Sequence, residues 1–507
     1  MDKMKSIALS ILVVIVVFTS TAQDFDSLAN HYARGIKRAD VKKHLSIIAS
    51  DEFEGRATGR KGQKLAMEYL IKQFKSFGVN DHNNMNYRQE FDLVQQENTG
   101  ISVVIEEDTF KVNEDFLFSL PITENQKLST QLVFVGYGIE EESYNDFKNI
   151  DVNNKMVLLW NGEPKKAELS SEWTNKRKVE NLKNHGALGV FLIDKKVESL
   201  LEKYHHYFTK PKMTLATDKT AQFFTMRLSK KMGESILKKG GLKASKLWKK
   251  GPAKKDKFEL SLSLQIDRPT EKLQGENVIA YIPGVEKKEE LIILTAHYDH
   301  LGREDSLIYN GADDDGTGTT ALIEIAEAFM QAKKDGFQNK RSILIMPVSG
   351  EEKGLLGSRY YTENPVFPLE NTVANLNIDM IGRYDEAHKN DSNYVYLIGS
   401  DKLSQDLHDL SEQVNKNYTH FNLDYTFNAD DDPNRFYYRS DHYNFAKNNV
   451  PVIFYFSGVH EDYHKATDTI EKIDFEKTAK IGRLVFLTAW HLANAEDRIQ
   501  LNEQAQE

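Results

Sequence analysis

Residues 310–318 read "NGADDDGTG", three adjacent aspartates held between glycines. Like charges this close repel and raise one another's pKa, so the run needs open solvent, a basic partner or a metal ion to be tolerated. Acidic runs with glycine are common in solvated turns, and Asp-Gly is a turn signal of its own. The flanks decide the fold around it. Upstream, "ENVIAYIPG" (276–284) and "ELIILTAHYDH" (290–300) are β-branched apolar runs with strand character, the second ending in His297, Tyr298, Asp299 and His300. Downstream, "TGTTALIEIAEAFMQA" (317–332) has the spacing of an amphipathic helix, with Thr317 placed to cap it. The aspartates therefore fall between a strand and a helix.

The same alternation continues outward. Strands are expected near 291–297, 342–348, 373–378, 393–398 and 451–456, with helices between them. This implies an α/β fold, a mostly parallel doubly wound sheet covered by helices on both faces. Towards the amino end, "DEFEGRATGRKGQKLAMEYLIKQFKSFGVN" (51–80) is a Gly-Arg-rich loop leading into a helix, with Leu65, Tyr69, Leu70 and Phe74 expected on its apolar side. Between the two, "QLVFVGYGI" (131–139), "KMVLLWNGEP" (155–164) and "GALGVFLID" (186–194) are short apolar strands separated by turns, which suggest an inserted β-rich module. The expected division is a signal segment over 1–22, an amino-terminal part of the main domain over 23–127, the inserted module over 128–268, the main domain over 269–497 and a polar, frayed tail over 498–507.

The chain has 507 residues, enough for two or three domains, and its hydrophobic fraction of 40% is enough to fill real cores. A net charge of -10 argues against nucleic acid or an anionic membrane as partner. The lysine-rich run 229–257 has few aromatic residues interleaved and reads as a solvated face. Lys3 and Lys5 ahead of "IALSILVVIVVF" (7–18), then Ser20, Thr21 and Ala22, form a cleavable export signal, too short to span a membrane comfortably. The expected location is periplasmic or secreted, without stable membrane insertion once the signal is cleaved. There are no cysteines, so disulfides and thiolate ligands are excluded and any metal must be held by nitrogen and oxygen.

In an open α/β sheet the ligand crevice lies outside the carboxyl ends of the strands. The expected strand ends deliver His297 and Asp299, then Glu351 and Glu352, then Asp379, and finally the loop "VHEDYHKATDTIEKID" (459–474) with His460 and His464. Two imidazoles and four carboxylates without a thiolate suit a pair of divalent ions such as zinc, cobalt or manganese. Two ions also make the triple aspartate tolerable, and hold between them a water of lowered pKa. The His-x-Asp spacing places Asp299 to fix the His297 imidazole. Spacing alone leaves open which of Glu351 and Glu352 is a ligand and which a base, since neighbouring side chains at a strand end point apart.

The motifs "TAHYDH" (295–300), "GADDDGTG" (311–318), "SGEEKGLLGS" (349–358), "NIDMIGR" (377–383) and "DYHKATDT" (462–469), in this order, resemble the co-catalytic zinc exopeptidases of the leucyl aminopeptidase and glutamate carboxypeptidase type. "GRATGRKGQKLAMEYL" (55–70) is similar to the amino-terminal part of such enzymes, and the insert to the protease-associated domain that some members carry. The resemblance implies two zinc ions, with His297 on one, Asp314 bridging both, Asp379 completing the first, and Glu352 with His464 on the second. It implies Glu351 as general base towards a hydroxide bridging the metals, and a cis peptide between Asp314 and Asp315. It leaves His300, His442 and His460 to ordinary structural roles. The implied function is an exported aminopeptidase acting on peptides. A carboxypeptidase or dipeptidase on the same scaffold needs cations for the substrate carboxylate, for which Arg383, Arg435 and Arg439 are available. A glutaminyl cyclase, which loses one half-site, and a non-catalytic binding protein, which loses its ligands, fit the motifs less well.

Overall fold

The computed structural model describes residues 26–118, 123–164, 168–220, 222–253 and 255–503. The expected signal segment, 1–22, lies outside the described residues. At the centre is a seven-stranded sheet: β1 (Ala280–Ile282), β2 (Lys287–His297), β3 (Arg341–Val348), β4 (Thr372–Ile378), β5 (Tyr394–Ile398), β6 (Asn422–Asp424) and β7 (Val452–Phe456), in the order β1-β3-β2-β4-β7-β5-β6. The four central strands β3, β2, β4 and β7 are parallel, while β1 and β5 run antiparallel to their inner neighbours. Every expected strand is present, and the sheet is mostly parallel as the alternation implied.

Alternate residues of the central strands enter opposite cores, as the two-residue side-chain period requires. Ile292, Leu294 and Ala296 of β2 pack with helices α1 (Arg38–Ile48), α2 (Lys61–Phe77), α3 (Gly318–Lys334) and α4 (Phe475–Asn494). Leu291 and Ile293 face the other way, towards Tyr361 and Phe445. Within α2 the buried stripe is Gln63, Ala66, Met67, Leu70, Ile71 and Phe74, so Leu65, expected inside, is at the surface instead. The helical period fixes this: Leu70 and Phe74 select the rows that include 63, 66 and 67, and 65 falls off their face.

The ribbon formed by Arg88–Gln96 and Thr270–Val278, paired from Arg88 opposite Val278 to Gln96 opposite Thr270, leads out of this domain and back. Beyond it lies an eight-stranded sheet whose middle strands, Gln126–Gly136, Met156–Trp160, Gly189–Ile193 and Phe224–Leu228, are parallel. Its core includes Phe134, Leu158, Phe191 and Met226. Three of its strands, Ile101–Ile105, Asp108–Lys111 and Phe116–Phe118, come from ahead of residue 128, since Val103 and Ile105 of that hairpin bury against Leu262 and Leu264 of Phe258–Ile266. Lysines of 229–257 ride on two short helices, Lys230–Lys239 and Ala244–Lys250, whose inner residues Met232, Ile236, Leu237 and Leu247 are buried. Lys212–Leu215 pairs with the ribbon, Leu93 opposite Leu215, which ties that edge of the module to it in a separate three-stranded sheet. Residues 498–503 of the tail are tied down, Arg498 donating to the Glu370 and Thr372 carbonyls and Asn502 to that of Asp401. Among the described residues no helix is long and apolar enough to cross a membrane.

Candidate metal centre

The parallel strands end level with one another, His297 opposite Val348 and Ile378 opposite Tyr455. This register puts all the expected residues on one rim. His297 closes β2, Glu351 and Glu352 follow β3 after a turn at Gly350, Asp379 follows β4, and His464 comes from the loop after β7. Asp314 stands at the middle. Its Oδ1 is 3.2 Å from His297 Nε2 and its Oδ2 is 3.2 Å from His464 Nε2. Asp379 Oδ1 lies 3.6 Å from the same His297 nitrogen, and Glu352 Oε2 lies 3.3 Å from the same His464 nitrogen. Two groups of donors therefore share one carboxylate.

The three aspartates go three ways. Asp313 accepts from the Gly382 amide at 2.6 Å and faces His460 Nε2 at 3.2 Å. Asp315 accepts from the amides of Gly318 (2.9 Å) and Met380 (3.1 Å), so it caps α3. Thr317, expected in that role, donates its hydroxyl to the Asp313 carbonyl instead, and its own backbone is already helical at the start of α3. Only Asp314 of the three is aimed between His297 and His464. Gly318 is needed here, since a Cβ on it would strike the Asp315 carboxylate and the Ile378 carbonyl. The peptide bond between Asp314 and Asp315 is cis.

A buried arginine anchors the run from below. Arg56, fully buried, donates from Nε to the carbonyl of Tyr298, from Nη1 to those of Ile48 and Asn310, and from Nη2 to that of Gly311, at 2.6–2.9 Å. Burial pulls its pKa down while Asp315, Asp299, Asp314 and Asp468 push it back up. Asp468 accepts from the amides of Asp313 and Asp314. Asp299 accepts from the Thr58 hydroxyl at 2.6 Å and the Glu351 amide at 3.3 Å. The group within hydrogen-bond reach of His297 Nδ1 is the Asp299 carbonyl, at 3.0 Å, with its carboxylate at 3.8 Å. A proton on Nδ1 bonded to that carbonyl leaves Nε2 as a lone pair facing Asp314 and Asp379. The Ser440 hydroxyl donates to Asp379 Oδ2 at 2.7 Å and leaves Oδ1 towards His297.

The donor set fits divalent metal ions. His297 Nε2 and Asp314 Oδ2 are buried without a well-formed hydrogen bond, an arrangement that costs free energy unless a further group satisfies them. Donor atoms of His300, Asp314 and Glu352 lie within 4.8 Å of one another, as do those of His297, Asp315 and Asp379. His300, assigned only an ordinary structural role from the sequence, is thus part of the rim: buried, with Nδ1 2.7 Å from Glu352 Oε1. Burial pushes the Glu351 carboxyl well above the usual range, with His297 opposing it. His442 stays apart, its ring stacked on Phe454 and its pKa lowered by burial to about 3. Beside the centre, Met380, Phe436, Phe454, Phe456 and Val459 line a small recess of about 30 Å³ together with Glu351, Asp379, Arg439 and His464. Arg56 and Asp468 stand inside the motifs "GRATGR" and "DYHKATDT", where spacing alone gives neither a role.

Residues 277–489 match the model of peptidase family M28. The chain is 28% identical over 263 residues to a probable zinc metalloprotease of Pyrenophora teres f. teres, covering 43% of this chain and 52% of the relative. It is 30% identical over 231 residues to a probable leucine aminopeptidase of Arthroderma otae, covering 44% of this chain and 59% of that protein. The chain thus spans between half and three-fifths of the length of these relatives. Its fold resembles that of an aminopeptidase from Aneurinibacillus sp. strain AM-1, with a TM-score of 0.54, 17% identity and coverage of 94% of this chain and 97% of the other. The match over residues 277–489 includes all five motifs and agrees with the peptidase resemblance read from them.

Proposed function

We propose that the protein is an exported aminopeptidase that holds two zinc ions and removes single residues from the amino end of peptides, with cobalt or manganese as substitute metals. The observation that carries this reading is the Asp314 carboxylate, with one oxygen 3.2 Å from His297 and the other 3.2 Å from His464. His297 and Asp379 would hold one ion, Glu352 and His464 the other, and Asp314 both, with His300 and Asp315 supporting them. When bound, such a pair lowers the pKa of a water and polarises a peptide carbonyl.

Glu351 lines the recess beside Asp314 and Asp379. There its carboxylate takes a proton from the attacking water and returns it to the departing amine, and burial, which raises its proton affinity, favours the first transfer. Asp299 positions the site, tying Thr58 and the Glu351 amide together next to His297. Met380, Phe436, Phe454 and Phe456 offer apolar contacts beside the centre to the first side chain. The acidic surroundings favour a free, positively charged amine. Export rests on the basic and apolar amino-terminal run.

One feature favours a carboxypeptidase or dipeptidase: Arg439, exposed in the same recess, lies over the Phe436 ring at 4.8 Å and near the Tyr463 hydroxyl at 3.4 Å. Arg383 does not add to it, being paired with Asp462 at 2.9 Å. Zinc-loaded protein assayed on free-amine, acetylated-amine and carboxyl-amidated peptides separates the two. Acetylation should abolish turnover and amidation should leave most of it. Tolerance of a blocked amine with dependence on a free carboxylate would reassign the activity to the carboxyl end.

A further inference from the structure

A second space opens from the same rim. A cleft of about 810 Å³ runs from Glu352 and His464, at the metal centre, to Lys210 and Lys212 on the inserted module, a size in the range of ligand pockets. His464 lines both this cleft and the recess, so the two meet at the metal centre. The cleft begins at the metal centre and offers room for the part of a peptide that follows its first residue.

The walls of the cleft are cationic in a chain whose net charge is -10. Lys210, Lys212 and Arg303 are exposed and Lys353 is half-buried, and none of the four has an ion-pair partner among the described residues. Arg60, on the same wall, is already matched by Glu271 in a two-pronged pair. Of the carboxylates there, Glu304 accepts from the Tyr309 hydroxyl at 3.2 Å and Glu352 belongs to the metal centre. The lysines come from the module and Arg303 and Lys353 from the peptidase rim, held in place by pairing of Lys212–Leu215 with the ribbon. A concave surface lined by one sign of charge concentrates ligands of the other sign.

We propose that this cleft binds the leaving part of the substrate and selects peptides that carry carboxylates there, through Lys210, Lys212, Arg303 and Lys353. The proposal rests on the aminopeptidase reading for its direction, and names the substrate class of that site. The carboxylates come from acidic side chains or from the free carboxyl terminus of a short peptide. Exposed pairs of this kind are each worth a factor of about two to five, so two or three multiply to about tenfold.

The test uses the zinc-loaded full chain and pentapeptides beginning Leu-Ala-Ala and ending in two Glu, two Ala or two Lys, with the Ala peptide also in amidated form. Leucine anilide, which ends before the cleft, is the reference. The Glu peptide should exceed the Lys peptide about tenfold in kcat/KM at low salt, chiefly through KM, and the gap should shrink as salt rises. Lys210→Glu combined with Lys212→Glu should erase or reverse the preference and leave leucine anilide within about twofold. A tenfold loss on amidating the Ala peptide, with no further gain from Glu, would identify the terminal carboxylate as the source; a gain from Glu alone identifies side chains. In parallel, binding of the same peptides, carrying a fluorophore at the carboxyl end of the Glu and Lys forms, is measured on metal-free protein by polarisation. Equal affinity and equal kcat/KM for Glu and Lys peptides together with no loss on amidating the Ala peptide, or a preference untouched by the double substitution, would overturn the proposal. Failure to cleave leucine anilide with the binding preference intact would sink the aminopeptidase reading instead.

Discussion

Replacing Arg56 should unmoor the aspartate loop from the rest of the rim. Its guanidinium is fully buried and makes four hydrogen bonds to main-chain carbonyls, joining the "GRATGR" segment to the end of β2 and to Asn310 and Gly311, just ahead of the aspartates. Arg56→Met keeps the side-chain stem but removes these four hydrogen bonds, leaving the Gly311 carbonyl with the Gly316 amide alone, and removes a positive charge that interacts with Asp315, Asp299, Asp314 and Asp468. Hydrogen bonds from a charged donor are worth about 1.5–3 kcal/mol each on deletion and do not add. Removing one partner of a buried charge cluster costs about 3–5 kcal/mol, which is the expected loss here. At about 2–4 °C per kcal/mol for a domain of this class, the midpoint should fall on the order of 10 °C. Arg56→Lys should recover less than half of it, since an ammonium is a point donor and cannot fork to four carbonyls. Thermal melts followed by circular dichroism, on metal-free and zinc-loaded protein, separate folding from metal binding. A melt of Arg56→Met within about 1 kcal/mol of wild type in both states would refute the role given to this residue.

Glu351→Gln should keep its metal yet lose about two to four orders of magnitude in kcat, whereas Glu352→Gln should weaken one ion; steady-state rates with elemental analysis decide, and exchanged phenotypes would reverse the two roles. A third expectation concerns pH and lies away from the centre, at His44 and Glu324, whose Nε2 and Oε1 are 3.5 Å apart in the core. Burial raises the Glu324 carboxyl to about 8, so the folded state keeps a proton that the unfolded state loses above the usual carboxylate range, and stability falls as pH rises towards 8. Burial lowers His44 to about 4, so its cost appears only below the usual histidine range and does not mask the loss at higher pH. Denaturant unfolding at pH 6.5 and 8.5 should show wild type losing about 2 kcal/mol and Glu324→Gln losing little; equal pH dependence in both would contradict it.

The alternation of apolar strands and amphipathic helices was legible from residue 277 onward because parallel strands buried on both faces leave near-continuous apolar runs such as "LIILTAH". The rim was legible because strand ends announce themselves by an abrupt change from such a run to His, Asp or Glu. What was not legible depends on contacts distant in sequence. Arg56 meets Asn310 across 254 positions, and nothing local in "GRATGR" says that its guanidinium is buried. The fate of Asp313 and Asp315 likewise depends on Gly382, Met380 and His460, which reach them only after the sheet has closed. Leu65 lies at the surface because the helical phase set by Leu70 and Phe74 turns it away from the core, which the apolar content of the segment does not show. The module's first strands were missed since "ISVVI" is short and pairs with Phe258–Ile266, more than 150 positions away.

The most direct test of the two-ion centre is the number of zinc ions bound per chain after reconstitution and removal of excess metal. Wild type should hold close to two. His464→Ala should hold close to one, and Asp314→Ala, which takes the shared carboxylate from both half-sites, should hold close to none while still folding. One ion in wild type, or an Asp314→Ala variant that keeps both, would contradict a pair of ions bridged by Asp314.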